Sequence, residues 1–412
     1  MRLAFADLFF SWPPHGGADV DLYHTVRGLQ EAGHEVHVFA SSCNGCWDRG
    51  RFYARSLPFP ATQLNFTRRE FNRQTMPARF RVEVDAWTPD AVVVGFGYFL
   101  KPYLIEALAH YPLAARFYAY EVSCARDKCL FRDGASCPHN YLRTPEMCRQ
   151  CTLQALAPQI KQGQHDSYVQ EYLAARAYMP AYHEVLARSL GRLRAAIVYN
   201  GLMKRQLEGF VEDVFVVPGG VDAAKLPFSP PIAKGPGERK MILMPGRAED
   251  PAKGVSILHA AGALLAARRS DFEILATLSD YALNRSWFRA IGWQDQASMT
   301  ALYARCDICV VPSLWEEPFG MVAAEAMAAG RPVCASRVGG LQEIVLDGKT
   351  GFLFSANSPE ELAAKIEWLL DDASLRASMG EAGRARAKSE YDWPRIIDRY
   401  YPPILKRMKG EG

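Results

Sequence analysis

Residues 306–336 read "CDICVVPSLWEEPFGMVAAEAMAAGRPVCAS". The first eight residues form a short apolar run of the kind that a buried strand needs. "EEPFG" then supplies the proline and glycine of a turn. "MVAAEAMAAG" is an apolar helical stretch ending at Gly330, and "RPVCAS" is a second strand. Two strands joined through a helix lie parallel, because parallel pairing requires a crossover connection. The same rhythm runs outward to both ends of the chain. "HEVHVFA", "DAVVVGF", "AARFYAYEV" (114–122), "AAIVYN" and "DVFVVPGG" read as strands in the first half, and "KMILMPGR" and "FEILATLS" precede the quoted run in the second. Leu22, Val26 and Leu29 mark one face of a helix over 18–32, with Gly33 as its stop. The fold class is α/β, with parallel sheets covered on both faces.

A chain of 412 residues exceeds one ordinary core, so two domains are expected. The stretch "LPFSPPIAKGPGERK" carries four prolines and two glycines and is the best linker. It divides the chain into residues 1–225, a linker at 226–239, and residues 240–390, with 391–412 as a terminal helix. Each half reads as a Rossmann-like domain. Half the residues are apolar and the net charge is +3, a soluble mix that gives no reason to expect a nucleic-acid partner. No apolar run reaches membrane-spanning length, and the opening "MRLAFADLFFSWPPHGG" is a poor signal peptide. These features predict a cytoplasmic protein.

In open parallel sheets, ligands bind beyond the carboxyl ends of the strands. Two such domains facing each other would frame an interdomain cleft lined by those loops. Gly16 and Gly17 follow the first strand, where glycines admit a ligand to the backbone and a helix N-terminus attracts an anion. Arg247 and Lys253 follow the first strand of the second half, two cations suited to a diphosphate. Glu317 stands in the "EEPFG" turn. Glu325 is the one charge in the apolar helix behind it. A carboxylate in apolar surroundings needs a partner, and sugar or ribose hydroxyls are donors of the right kind. Each feature also has a plainer role: loop glycines, solvated cations, or a charge complementing the helix dipole. Gly339 and Gly340 permit close backbone approach, or simply a tight turn.

Ten cysteines are the oddity. Cys306, Cys309 and Cys334 lie in apolar strands and read as small buried hydrophobes. Cys124, Cys129, Cys137, Cys148 and Cys151 lie in an insertion near 124–151, and Cys43 and Cys46 form a further C-x2-C pair. Such spacing suits a structural zinc, and an iron–sulfur cluster would use the same ligands; thiols without a metal are the alternative. Disulfides are a weak explanation without a secretory signal. Between 65 and 81, Arg68, Arg69, Arg73, Arg79 and Arg81 interleave with Phe66, Phe71 and Phe80. That stretch suits an anionic acceptor, a peripheral contact with the inner face of a membrane, or a solvated helical face.

Taken together, "HGGADV", "VVPGGVD", "PGRAEDPAKG", "GWQDQASMTALYARCDICVVPS" and "EEPFGMVAAEAMAAGRPVCASRVGGLQEIV" resemble retaining glycosyltransferases of family 4, the glycosyl transferases group 1, which have the GT-B architecture. The resemblance covers most of the chain and is most specific over 302–354, where Glu317 and Glu325 form an E-x7-E element. It implies sugar transfer from a UDP-, GDP- or ADP-sugar to a glycan, lipid-linked or small-molecule hydroxyl acceptor. No cofactor is implied for the chemistry. Arg247, Lys253 and Glu317 would be the catalytic groups. Gly16, Gly17, Arg247, Lys253, Glu317, Phe319, Gly320, Met321 and Glu325 would hold the donor, with Glu325 on the ribose and Glu317 on the sugar. The first domain would bind the acceptor, its cysteine-rich insertion shaping the pocket. The final helix, carrying Trp393, Tyr400 and Tyr401, would pack back on the first domain.

Two departures stand out. Where many relatives carry a His-Asp or similar pair, this chain reads Tyr120-Glu121; His15, on the first strand-end loop, is another cleft candidate, whereas His110 precedes its strand and is expected at the far end of the sheet, and a lone histidine in either place is more often structural. Asp280-Tyr281 replaces a glycine-rich loop. A nucleotide-sugar epimerase of the same shape and a non-catalytic nucleotide-sugar binder are the competing readings.

Overall fold

The computed structural model describes residues 1–46, 49–126, 131–132, 135–163, 165–226, 228 and 238–411. The chain divides into two compact units. The first contains Met1–Cys129, Pro138–Pro218 and Ile396–Gly412; the second contains Leu130–Cys137 and Gly219–Arg395. Most of the proline-rich stretch read as a linker lies outside the described residues.

The first unit is built on β1 (Arg2–Asp7), β2 (Glu35–Asn44), β3 (Ala61–Thr67), β4 (Ala91–Val94) and β5 (Leu113–Arg116). A short antiparallel hairpin follows, β6 (Phe131–Arg132) and β7 (Ala135–Ser136), which groups with the second unit. β8 (Ala195–Val198) and β9 (Val214–Val216) complete the first sheet, in the order β3-β2-β1-β4-β5-β8-β9. Every pairing in that sheet is parallel. The order reverses direction between β1 and β4, so the loops after those strands diverge there.

The second sheet has the same logic. β10 (Lys240–Met244), β11 (Phe272–Ala276), β12 (Phe288–Ala290), β13 (Ile308–Val311), β14 (Val333–Ser336) and β15 (Gly351–Phe354) run β12-β11-β10-β13-β14-β15, all parallel. Its reversal falls between β10 and β13. Helices Val255–Ala266 and Pro359–Asp371 contribute Leu258, Leu265, Ile366 and Leu369 to the core on this sheet, all fully buried. Strands β13 and β14 are buried along their whole length, which is why they read as unbroken apolar runs rather than alternating ones. Cys306, Cys309 and Cys334 are buried here, as their sequence context implied. Burial pushes the Cys334 thiol up to about 12 and the Cys309 thiol well above its ordinary range.

Three sequence expectations change. The strand expected over 114–122 stops at Arg116. The buried Lys101 ammonium donates to the Arg116 carbonyl at 2.6 Å, and Glu121 turns the chain by accepting the N–H groups of Tyr118 and Ala119. Strand β3 was not anticipated; its polar residues place it at the sheet edge, where apolar patterning is weakest. In the arginine-rich stretch, Phe66, Phe71 and Phe80 are buried, so these rings belong to the core and are not offered to a lipid surface. The helix that follows spans Thr75–Trp87, and Arg79 stacks on Phe66 at 4.5 Å.

The terminal helix Trp393–Lys409 belongs to the first unit from Ile396 onward. Tyr401 is buried there and shares a 3.0 Å hydrogen bond with Thr25. Trp393 packs its ring over Gly220 in the second unit, where any side chain on the glycine would collide with it. Among the described residues, no helix is long and apolar enough to cross a membrane.

Candidate functional site

In the second unit, the residues singled out by sequence gather on the loops after β10 and β13, the strands flanking the reversal in strand order. The β10 loop begins at Pro245 and ends at Gly254. Asp250 caps a short turn at Pro251–Lys253 by accepting the Ala252 N–H at 3.0 Å. Gly254 then takes φ +77°, and a Cβ there would lie 1.8 Å from the Pro312 carbonyl oxygen. Only glycine allows the two loops to approach so closely. This contact sets where Lys253 can reach.

Lys253 reaches Glu317. Its ammonium donates to both carboxylate oxygens, at 2.9 and 3.0 Å, and lies 4.9 Å from the centre of the Trp315 ring. Glu317 Oε2 also accepts from Ser313 Oγ at 2.9 Å and from Trp315 Nε1 at 2.8 Å. The pair is mostly buried, with side chains 21% and 12% exposed. Sequence reasoning gave Lys253 and Glu317 separate tasks; the structure couples them. Glu317 orients the lysine and offsets its charge. Arg247 is exposed, and its guanidinium makes no ion pair among the described residues. It is the cation of this loop that has not already met a carboxylate.

The β13 loop enters the helix Met321–Ala328 through Gly320, at φ +109°. Phe319 is buried against Tyr391, ring centres 5.5 Å apart, and Gly219 leaves room for both the Phe319 ring and the Met321 sulfur. The Phe319 side chain is therefore a packing element. What this segment can offer a ligand is backbone, the first-turn N–H groups of a helix, which favour an anion.

Glu325 lies one turn further along, on the same helix. One carboxylate oxygen accepts from the Tyr303 hydroxyl at 2.9 Å. Burial raises its pKa to about 7, and the tyrosine hydrogen bond works against that shift. Tyr303 is fully buried on the helix Gln296–Arg305. It was missed because nothing in sequence spacing relates position 303 to 325. Glu316, buried beside Glu317, was missed for a different reason: the doubled glutamate was legible, but only one had a reading. Its carboxylate accepts the Gly339 N–H and the Ser136 hydroxyl, and burial raises its pKa. Gly339 and Gly340 form a turn that also brings two loops together. Gly339 sits at φ +46°, and a Cβ would lie 2.2 Å from the Glu317 carbonyl oxygen. These glycines let the β14 loop press against the β13 loop.

In the first unit, the loops after β1 and β4 are held by buried carboxylates. Asp7 accepts the N–H groups of Phe9 and Phe96, at 2.9 and 2.6 Å. Burial raises its pKa to about 6 despite those hydrogen bonds. Glu171 accepts from Tyr98 and from Leu100, the latter at 2.6 Å, and burial raises it to about 8. Gly16 and Gly17 begin the helix Gly17–Glu31. The N–H of Gly16 is donated to Asp19 at 3.2 Å, and a side chain at Gly16 would meet nothing within 4 Å. Glu121, of the Tyr120-Glu121 pair, is buried in an ion pair with Lys101 at 3.2 Å. His15 is exposed, and His110 pairs with Asp85 at 2.8 Å, ahead of β5. Asp280 caps a turn at Tyr281–Leu283.

Cys43 and Cys46 are brought together, their Cα atoms 5.4 Å apart. Cys148 and Cys151 lie one turn apart on the helix Pro145–Lys161, while Cys124 and Cys137 lie outside helices. Cys129 falls outside the described residues. Among the described residues, no group of three or more His, Cys, Asp or Glu side chains is arranged to hold a metal ion.

Comparison with known proteins bears on this geometry. Residues 229–386 match the family described as glycosyl transferases group 1. The match falls within the second unit. The phosphatidyl-myo-inositol mannosyltransferase of Mycolicibacterium smegmatis is 33% identical to this chain over 241 residues, which are 56% of this chain and 60% of that protein. This chain thus spans less than two thirds of that curated relative. Among solved structures, sucrose-phosphate synthase from Thermosynechococcus elongatus superposes with a TM-score of 0.67 at 19% identity, covering 100% of both chains. Anabaena HepE in complex with UDP gives 0.68 at 19% identity, over 98% of this chain and 100% of that one. The chain has the GT-B fold, two α/β domains each built on a parallel sheet.

Proposed function

We propose that this protein is a retaining glycosyltransferase that moves a hexosyl group from a nucleoside-diphosphate sugar to a hydroxyl acceptor. The observation that supports this is the Lys253–Glu317 pair joining the β10 loop, which also carries Arg247, to the β13 loop, which leads through Gly320 into the helix of Glu325, within the region that matches the group 1 family. In the transfer, the bond between the anomeric carbon and the diphosphate breaks, and the acceptor oxygen bonds to that carbon on the same face. The acceptor proton leaves with the departing diphosphate. Negative charge therefore grows on the phosphate oxygens. Arg247, Lys253 and the first-turn N–H groups after Gly320 would stabilise it, replacing a metal ion in that task. Glu317 would hold Lys253 on station, and Glu325 would take the ribose hydroxyls. The acceptor would be a hydroxyl of a glycan, a lipid-linked sugar or a small molecule.

HepE is solved with UDP and with UDP-glucose, so UDP is the first nucleotide to test. The experiment is a thermal-shift panel of UDP, GDP, ADP and dTDP on the wild type and Arg247→Ala. One nucleotide should raise the melting temperature selectively, and the variant should lose most of that rise. No shift with any nucleotide would refute the donor site. Acceptor-dependent release of the nucleotide from its sugar then separates transfer from binding alone.

A further inference from the structure

The turn after β13 carries two adjacent glutamates, and they point to opposite neighbours. β13 lies between β10 and β14 in the sheet. Glu317 ties the turn to the β10 loop through Lys253. Glu316 ties it to the β14 loop through the Gly339 N–H. Glu316 is 6% exposed, and its second oxygen accepts from Ser136, on the β6–β7 hairpin that the cysteine-rich insertion contributes to this unit. The backbone follows the same line: the Gly340 N–H donates to the Glu317 carbonyl at 2.6 Å.

We propose that Glu316 is a positioning residue of the donor site, fixing the β14 loop and the β6–β7 hairpin against the turn that presents Glu317 and Gly320. This rests on reading the second unit as the donor-binding domain. The role is hydrogen bonding to two donors, with no contact to substrate. A buried N–H that loses its acceptor is costly, so without Glu316 the β14 loop moves off the turn. A shift of about 1 Å at the backbone facing the phosphates is enough to weaken a preorganised site by about 10- to 100-fold.

The test compares Glu316→Gln with Glu316→Met in the full chain. Glutamine keeps an acceptor for Gly339 and a polar group for Ser136. Methionine fills the volume and offers neither. Two quantities are read: amide exchange over residues 337–340, and affinity for the panel nucleotide that binds the wild type. The methionine variant should exchange faster and bind at least tenfold more weakly, while the glutamine variant stays within threefold of wild type, estimates set by the same preorganisation scale. Glutamine as defective as methionine would show that charge, rather than hydrogen bonding, matters, and would overturn the proposal. Wild-type affinity and exchange in the methionine variant would overturn it equally. Glu316→Asp, one methylene too short to span both donors, repeats the test if the methionine chain does not fold. A wild type that binds no nucleotide defeats the donor reading itself, and the positioning role with it; altered binding confined to the variants cannot arise that way.

Discussion

A carboxyl with a pKa of about 7 is half ionised at neutral pH, and Glu325 is such a group. Ligand hydroxyls donate to the ionised form, so binding should draw its pKa down and release a proton. Affinity for the nucleotide should therefore rise with pH between about 6 and 8, up to tenfold per unit where the group is mostly protonated. Glu325→Gln should flatten that profile, and calorimetric titration in two buffers measures both effects. The stability consequence has the opposite sense. The folded-state pKa is raised above the ordinary 4.5, so the contribution of Glu325 to stability is full below 4.5 and is lost as pH climbs through about 7. Lys253 gives a second residue-level prediction. Lys253→Met strips Glu317 of its counter-ion in a mostly buried place, which should cost about 1–3 kcal/mol in urea unfolding. Adding Glu317→Gln should recover part of that loss, because the orphaned charge is then gone.

Elements were more legible in the sequence than the contacts between them. Buried parallel strands are apolar end to end, so β10, β11, β13 and β14 were plain from their β-branched runs. The edge strand β3 carries threonine, glutamine and asparagine and left no such trace. The candidate site was legible as residue types on strand-end loops, and Arg247, Lys253, Glu317 and Glu325 were singled out by their motifs together rather than by position alone. Their pairing was not, because the Lys253–Glu317 bond spans 64 positions and depends on how two loops meet. Gly254 is the element-level test of that meeting. Gly254→Ala must adopt a left-handed conformation at a cost of about 1–3 kcal/mol and also displace the Pro312 carbonyl. It should lower the urea midpoint and weaken nucleotide binding, whereas Gly16→Ala, in open space, should leave stability within about 0.5 kcal/mol of wild type.

At the scale of the whole molecule, the two units need not share one stability, and the distribution of cysteines offers a way to tell them apart. Cys309 and Cys334 stand on neighbouring strands in the middle of the second sheet, fully buried and held as thiols. A water-soluble alkylating reagent can reach them only when that sheet opens. Their rate of modification is thus a clock that ticks with openings of the second sheet. A nucleotide bound at 100 times its dissociation constant should slow that clock by about 100-fold. Mass spectrometry of the alkylated peptides that contain these residues would time it, turning two chemically idle side chains into a gauge of ligand occupancy.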